Sequence, residues 1–285
     1  LQLYTLRDQL SQDPKGTLAK VAAIGYNEVE TFYGYEASGD KGLFWGMTPK
    51  ELMAVLKQHK LTTPSGHYQL NEYLTKGDGK TDALQPQIDL AAALGQQYFI
   101  VPVLPLSLWD KKLGADDYKF MAEQLNKAGE ICKKSKLKIG YHNHYWEFKP
   151  LADTKGTGYD VLLKETDPSL VAFELDLFWA VKSGRDPISL FREAPGRFVA
   201  WHVKDMDKNN TASLTAAGTE NKTSMELLSG VSFAEVGTGA INFRKIFAQA
   251  KLAGVKHLFV EQDKITIDPF ESVKKSYQYV KKITN

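Results

Sequence analysis

Cysteine is almost absent from this chain: Cys132 is the only one in 285 residues, so no intrachain disulfide can form. It lies in Ala128-Gly129-Glu130-Ile131-Cys132, which reads as a buried helix face rather than a reactive site. Long apolar runs are absent too; none reaches the roughly 18 residues needed to span a bilayer. Charge of one sign is not in excess. The 36 Lys and Arg against 34 Asp and Glu leave a net charge of +2, with no strong pull toward nucleic acid or a membrane surface. The lysine pairs Lys111-Lys112, Lys133-Lys134, Lys274-Lys275 and Lys281-Lys282 fall where helices would face water, whereas a nucleic-acid footprint would cluster on one face. No internal repeat is evident. The chain opens on Leu1 rather than methionine, which implies an upstream segment, either a cleaved export signal or a tag. The location is then periplasmic after signal cleavage, or cytoplasmic. A homo-oligomer stays open.

What is present is a repeated pattern. Ile139-Gly140-Tyr141-His142-Asn143-His144, Phe173-Glu174-Leu175-Asp176, Val199-Ala200-Trp201-His202 and Leu258-Phe259-Val260-Glu261 each end an apolar run with a metal-binding side chain. A parallel strand whose C-terminal end opens onto an active site reads this way, and such strands separated by helical stretches point to a (β/α)8 barrel.

The rest of the chain agrees. Strand candidates are 1–6, 28–32, 62–67, 98–103, 137–142, 171–176, 198–202 and 257–261. Helical spacing runs through 14–24 up to Gly25, from the Thr48-Pro49 cap onward, and through 82–94 up to Gly95. It resumes over 116–134, 159–165, 187–193, 241–253 up to Gly254, and 269–280. Eight strands alternating with helices favour one closed α/β TIM barrel domain over residues 1–285. Met206 to Gly230 breaks the rhythm. It is polar, follows the seventh strand on the catalytic face, and reads as a lid, a binding loop or a plain insertion.

Asp176, His202 and Glu261 form the core of the candidate site. Two carboxylates and an imidazole from different strand ends can converge on one divalent ion, and the donors suit Mn, Co, Zn or Mg. Each has an ordinary alternative, Asp176 as a helix cap and His202 as a core histidine. His142 and His144 lie on one side of the fifth strand by period-two alternation. His142 is the candidate fourth ligand and His144 the candidate acid/base, with Glu147 a rival for either role. Lys204, two residues beyond His202, could bind a sugar oxygen or stabilise an enolate, or pair with Asp205 at the surface. Trp109, Trp146, Phe178 and Trp179 could stack on a sugar or simply pack.

Gln2-Leu3-Tyr4-Thr5-Leu6-Arg7, Gly25-Tyr26 before Glu28-Val29-Glu30, Tyr141-His142-Asn143-His144, Trp201-His202-Val203-Lys204-Asp205 and Val236-Gly237-Thr238-Gly239 occur in this order. The chain resembles the sugar phosphate isomerase/epimerase group of the xylose-isomerase-like TIM barrel superfamily over essentially its whole length. The resemblance implies a divalent metal held by Glu, Asp, His and Glu of strands five to eight. The last three map onto Asp176, His202 and Glu261. At the first position, usually Glu before Asn, this chain has His142 before Asn143, which resembles the inosose dehydratase branch. The resemblance also implies a substrate-binding acid at Glu30, and His67 ends the third strand beside it. The glycines at 237 and 239 fit a turn near the metal better than a phosphate loop.

The expected activity is therefore metal-dependent isomerisation or epimerisation of a sugar or keto-sugar, by proton abstraction next to a metal-bound carbonyl with an enediolate intermediate. The alternatives are a lyase or dehydratase acting on a keto-glycoside or keto-inositol, and a non-catalytic sugar-binding protein. His144, Glu147, Glu261 and Lys204 are the catalytic candidates; Glu30, His67, Trp109, Trp179 and Lys204 are the substrate-binding candidates.

Overall fold

The computed structural model describes residues 1–34, 38–39, 41–77 and 81–284. Strands β1 (Glu28–Tyr33), β2 (Thr62–Tyr68), β3 (Tyr98–Val101), β4 (Lys138–His142), β5 (Val171–Asp176) and β6 (Phe198–Val203) pair in parallel, each with the next. A short antiparallel ribbon follows, β7 (Asp205–Met206) with β8 (Phe233–Ala234), and β9 (His257–Val260) then pairs with β6.

The first expected strand is the main departure. Only Leu1 and Gln2 behave as a barrel stave: Gln2 N–H donates to Val260 O and Glu30 N–H to Leu1 O, both at 2.9 Å. From Leu3 the chain turns into a 3-10 helix, Leu3–Leu6. The Gln2 side chain accepts the Tyr4 N–H at 3.0 Å and caps that helix, while Leu3 and Leu6 are drawn fully into the core. Local capping and burial thus override strand propensity, and the result is a nearly closed barrel of seven strands with a two-residue stave between β9 and β1.

Helices cover the outside. Asp13 caps Pro14–Ile24, which stops at Gly25 in the left-handed region, where a Cβ would also meet Tyr277 Oη at 2.6 Å. Thr48 and Glu51 form a capping box ahead of Pro49–Gln58. The helix expected over 241–253 is broken into Phe243–Phe247 and Ala250–Ala253. Its start is set by Asn242, whose side chain accepts the Lys245 N–H at 3.1 Å. Leu177–Lys182 is a helix that the apolar pattern does not reveal.

Period-two alternation divides each strand. Trp201 faces out and stacks on Phe191 of the helix Pro187–Glu193, centroids 5.1 Å apart. Its neighbour His202 faces the barrel axis, as do Glu174 and Asp176 of β5 and His142 of β4, and their rings and carboxylates meet there. The interior is therefore polar toward the C-terminal strand ends, where the site lies.

The polar segment 206–230 crosses this same end and is tied down at several points. The buried Lys182 ammonium donates to the carbonyl oxygen of Asn210 and, at 2.6 Å, to its Oδ1. Ser224, first residue of a short helix to Ser229, donates its N–H to Asp110 Oδ1 and its hydroxyl to Trp109 O, and accepts from Trp146 Nε1. Among the described residues no helix is long and apolar enough to cross a membrane.

Candidate metal centre and active site

The floor of the site is built from β1, β2, β5 and β6. Glu30 Oε2 accepts Gln2 Nε2 at 2.8 Å and lies 2.6 Å from His202 Nε2, and Oε1 accepts the Ser65 hydroxyl at 2.5 Å. His67 Nε2 stands 2.7 Å from Glu174 Oε2 and 3.2 Å from Glu30 Oε2, with its ring stacked on His202. Glu174 Oε2 also meets His142 Nδ1 at 3.0 Å and His202 Nε2 at 3.1 Å. Burial alone would raise the Glu30 carboxyl, but His67 and His202 hold it well below the usual range. Burial would lower His67, yet Glu30 and Glu174 lift it to about 9. Glu30 and His67, expected as substrate contacts, thus lie on the Nε2 side of His202, buried, with both Glu30 oxygens and His67 Nε2 engaged within the floor.

The upper layer lies on the other side of that ring. His202 Nδ1 is 2.8 Å from Glu261 Oε2. Lys204 Nζ lies 2.7 Å from Glu261 Oε2, 3.0 Å from Asp263 Oδ2 and 3.3 Å from Asp176 Oδ2. Asp176 divides its carboxylate. Oδ1 accepts the Trp179 N–H at 2.8 Å and caps Leu177–Lys182. Oδ2 is buried and finds no hydrogen-bond partner among the described residues, the Lys204 contact lacking hydrogen-bond geometry. The helix-cap reading and the ligand reading of Asp176 are compatible, one oxygen for each.

Electrostatics follow from the same contacts. Burial lifts Asp176 to about 6 against the pull of Lys204 and His202. Burial likewise opposes charge on Lys204, but Asp176, Asp263 and Glu261 keep its ammonium well above the usual range. Glu261 is held low by Lys204 and His202 despite burial. Lys204 and Asp205 do not pair. Asp205 turns away and accepts the N–H groups of Met206, Gly237, Gly239 and Ile241 at 2.8 to 3.1 Å. The glycine turn therefore cradles an internal carboxylate.

His142 and His144 both reach the centre, with ring centroids 5.1 Å apart. His142 presents Nδ1 to Glu174, while its Nε2 faces Asp176 Oδ2 across 3.8 Å. His144 sits between Trp146 and Trp179, at 5.4 and 5.3 Å, and its Nδ1 has no partner among the described residues. Burial, then Lys204, pushes the His144 imidazole well below its usual value, so it stays neutral. Glu147 does not join them: Oε1 accepts the Tyr141 hydroxyl at 2.6 Å and Oε2 the His144 N–H at 2.9 Å. Trp109 stacks on Trp146 at 4.2 Å and donates Nε1 to Leu104 O, whereas Trp179 lies under Lys204 Nζ, 5.5 Å from the ring centre.

Among the described residues two donor groups result, each with ligand atoms within 4.8 Å of one another: Asp176, His202 and Glu261, and His67, His142, Glu174 and His202. The mixed oxygen and nitrogen set suits a divalent ion, and the unpartnered Asp176 Oδ2 is the kind of buried atom that a cation would satisfy. Sequence reasoning passed over Glu174 and Asp263. The available signal was spacing: Glu174 precedes Asp176 by two residues, and Asp263 follows Glu261 by two.

The family model for the xylose isomerase-like TIM barrel matches residues 18–283. The chain belongs to the xylose isomerase-like TIM barrel family. The crystal structure of a sugar phosphate isomerase/epimerase from Parabacteroides distasonis superposes with a TM-score of 0.78 at 31% identity. The match covers 98% of this chain and 92% of that one. An inosose dehydratase from Clostridium beijerinckii is 28% identical over 208 residues, 71% of this chain and 62% of that protein. One from Geobacillus thermodenitrificans is 28% identical over 188 residues, 61% of this chain and 58% of that protein. The matches thus span 62% and 58% of the length of these two curated relatives. An L-ribulose 3-epimerase structure, at 16% identity and a TM-score of 0.67, shares the fold.

Proposed function

We propose that this chain is a metal-dependent isomerase or epimerase acting on a sugar or keto-sugar, and that it works by moving a proton at the carbon beside a carbonyl. The observation that carries this is the convergence of Asp176, His202 and Glu261 at the C-terminal end of the barrel, with the Lys204 ammonium among them. His142 Nε2, Asp176 Oδ2, His202 Nδ1 and a Glu261 oxygen would hold the ion. Behind them Glu174 faces His142 Nδ1 and Glu30 faces His202 Nε2. Carboxylates behind ligand histidines fix tautomer and ring orientation. A divalent ion there supplies Lewis acidity, which acidifies a proton next to a carbonyl and offsets the charge that its removal leaves.

The chain's own groups do the rest. His144, neutral and with no partner for its Nδ1 among the described residues, takes the proton. Lys204 donates a hydrogen bond to a substrate oxygen from its seat over Trp179. Glu147 acts at one remove, holding the His144 backbone. Trp146 and Trp179 pack beside the histidine ring, which stays partly exposed.

Elimination from a keto-glycoside or keto-inositol is the second reading. It is favoured by His142 in place of a strand-end glutamate and by the likeness to inosose dehydratases. The test is proton exchange. Incubated with Mn²⁺ and a panel of keto-sugars and keto-inositols in deuterated water, the protein should label a carbon next to the carbonyl, and His144→Ala should not. Release of a β-hydroxyl or glycosyl group would select elimination. Tight binding without exchange at any carbon would overturn both readings in favour of a sugar-binding protein.

A further inference from the structure

Lys204 holds more acidic partners than one ammonium needs. Two of them, Asp176 and Glu261, belong to the donor group for the ion; the third, Asp263, does not. An ammonium and a dication on one pair of carboxylates repel strongly in a buried setting. Lys204 cannot escape to water, because it is 1% exposed and lies over the rings of Trp179 and Phe233 at 5.5 and 5.8 Å. We propose that Asp263 is a positioning residue that holds the Lys204 ammonium clear of Asp176 and Glu261 when a divalent cation takes those carboxylates.

The support for Asp263 is itself fixed. Arg7 Nη2 donates to Asp263 O at 3.0 Å, and the neighbouring Gln262 N–H donates to Thr5 Oγ1 at 3.2 Å. The turn after β9 is thereby tied to the first residues of the chain, with the Arg7 guanidinium packed over Tyr4. The arrangement gives Lys204 one resting place on each side: the two ligand carboxylates before the ion binds, and Asp263 afterward. The inference rests on the metal centre proposed above and adds to it a coupling between metal affinity and a residue outside the ligand set.

A double-mutant cycle on Mn²⁺ affinity, measured by calorimetry on the full chain with no substrate present, tests this. Asp263→Asn should weaken Mn²⁺ binding about three- to tenfold, the range for a partly exposed charge pair. Lys204→Met should bind Mn²⁺ at least as tightly as the wild type. In the Lys204→Met background, Asp263→Asn should then change affinity by less than about twofold, because the group through which it acts is gone. A penalty of the same size in both backgrounds, or no penalty in either, overturns the inference while leaving the metal centre standing. Failure of both wild type and Lys204→Met to bind Mn²⁺ overturns the metal centre itself. Thermal unfolding is recorded for every variant, and if Asp263→Asn does not fold, Asp263→Ser takes its place with the same expected outcomes.

Discussion

Glu30 Oε2 and His202 Nε2 lie 2.6 Å apart, both fully buried. A proton held on Nε2 by that carboxylate leaves Nδ1 as the nitrogen that can bind an ion. Glu30→Gln keeps the shape but removes the charge and sets an amide against the Gln2 amide and the His202 ring. The expected result is a loss of Mn²⁺ affinity of about 10- to 100-fold, the usual effect of removing such a partner. Calorimetry reads it directly; unchanged affinity would mean that His202 is not oriented from behind in this way.

The Asp205 cradle carries a stability prediction. A Cβ on Gly239 would stand 2.3 Å from Met206 O and 2.4 Å from Asp205 Oδ1, so the backbone must shift and the four N–H bonds to Asp205 must loosen. Gly239→Ala should cost about 1–3 kcal/mol in urea unfolding, the range for forcing an extra methyl into packed space. Gly230→Ala is the control: like Gly239 it lies outside the positive-φ region, but an added carbon would meet nothing nearer than 3.7 Å. Equal losses for the two would show that the crowding around the Asp205 cradle contributes nothing.

Cys132 gives a third. It is fully buried in the helix Ala115–Lys134, and burial pushes its thiol up to about 12. At pH 8 the thiolate, the reactive form, is scarce and has no path to solvent. Ellman's reagent should report almost no thiol in the native protein and one per chain in denaturant. Rapid native labelling would contradict the packing of that helix.

The pattern of apolar runs ending in Asp, His or Glu made β4, β5, β6 and β9 readable, because strands covered on both faces leave little room for polar residues except where they open. The first strand was misread for the opposite reason. Leu1–Leu6 is apolar enough for a strand, but the choice was made by the Gln2 side chain capping Tyr4, which no periodicity shows. The candidate ligands were legible one by one. What lay behind them was not: Glu174 sat in a quoted motif but its value depends on rings from β2, β4 and β6, which only the barrel brings together. Glu147 illustrates the reverse, a well-spaced carboxylate whose partners Tyr141 and His144 turn it away from the centre.

The protonation of His202 makes the last prediction. Burial would lower its pKa, but Glu174 and Glu261 raise it well above the usual histidine value, so at neutral pH the metal-free ring carries both protons. Binding through Nδ1 must expel one of them. Affinity for Mn²⁺ should therefore rise about tenfold per pH unit through neutrality, since one proton competes with each ion. Below about pH 6 Asp176 is protonated as well, and the slope should steepen toward two protons. Calorimetry in PIPES and in Tris at pH 7, whose ionisation heats differ, counts the protons released independently of the slope. Release near one supports His202 as a ligand. A pH-independent affinity with no proton release would place the ion away from His202 altogether, on carboxylates that are already charged.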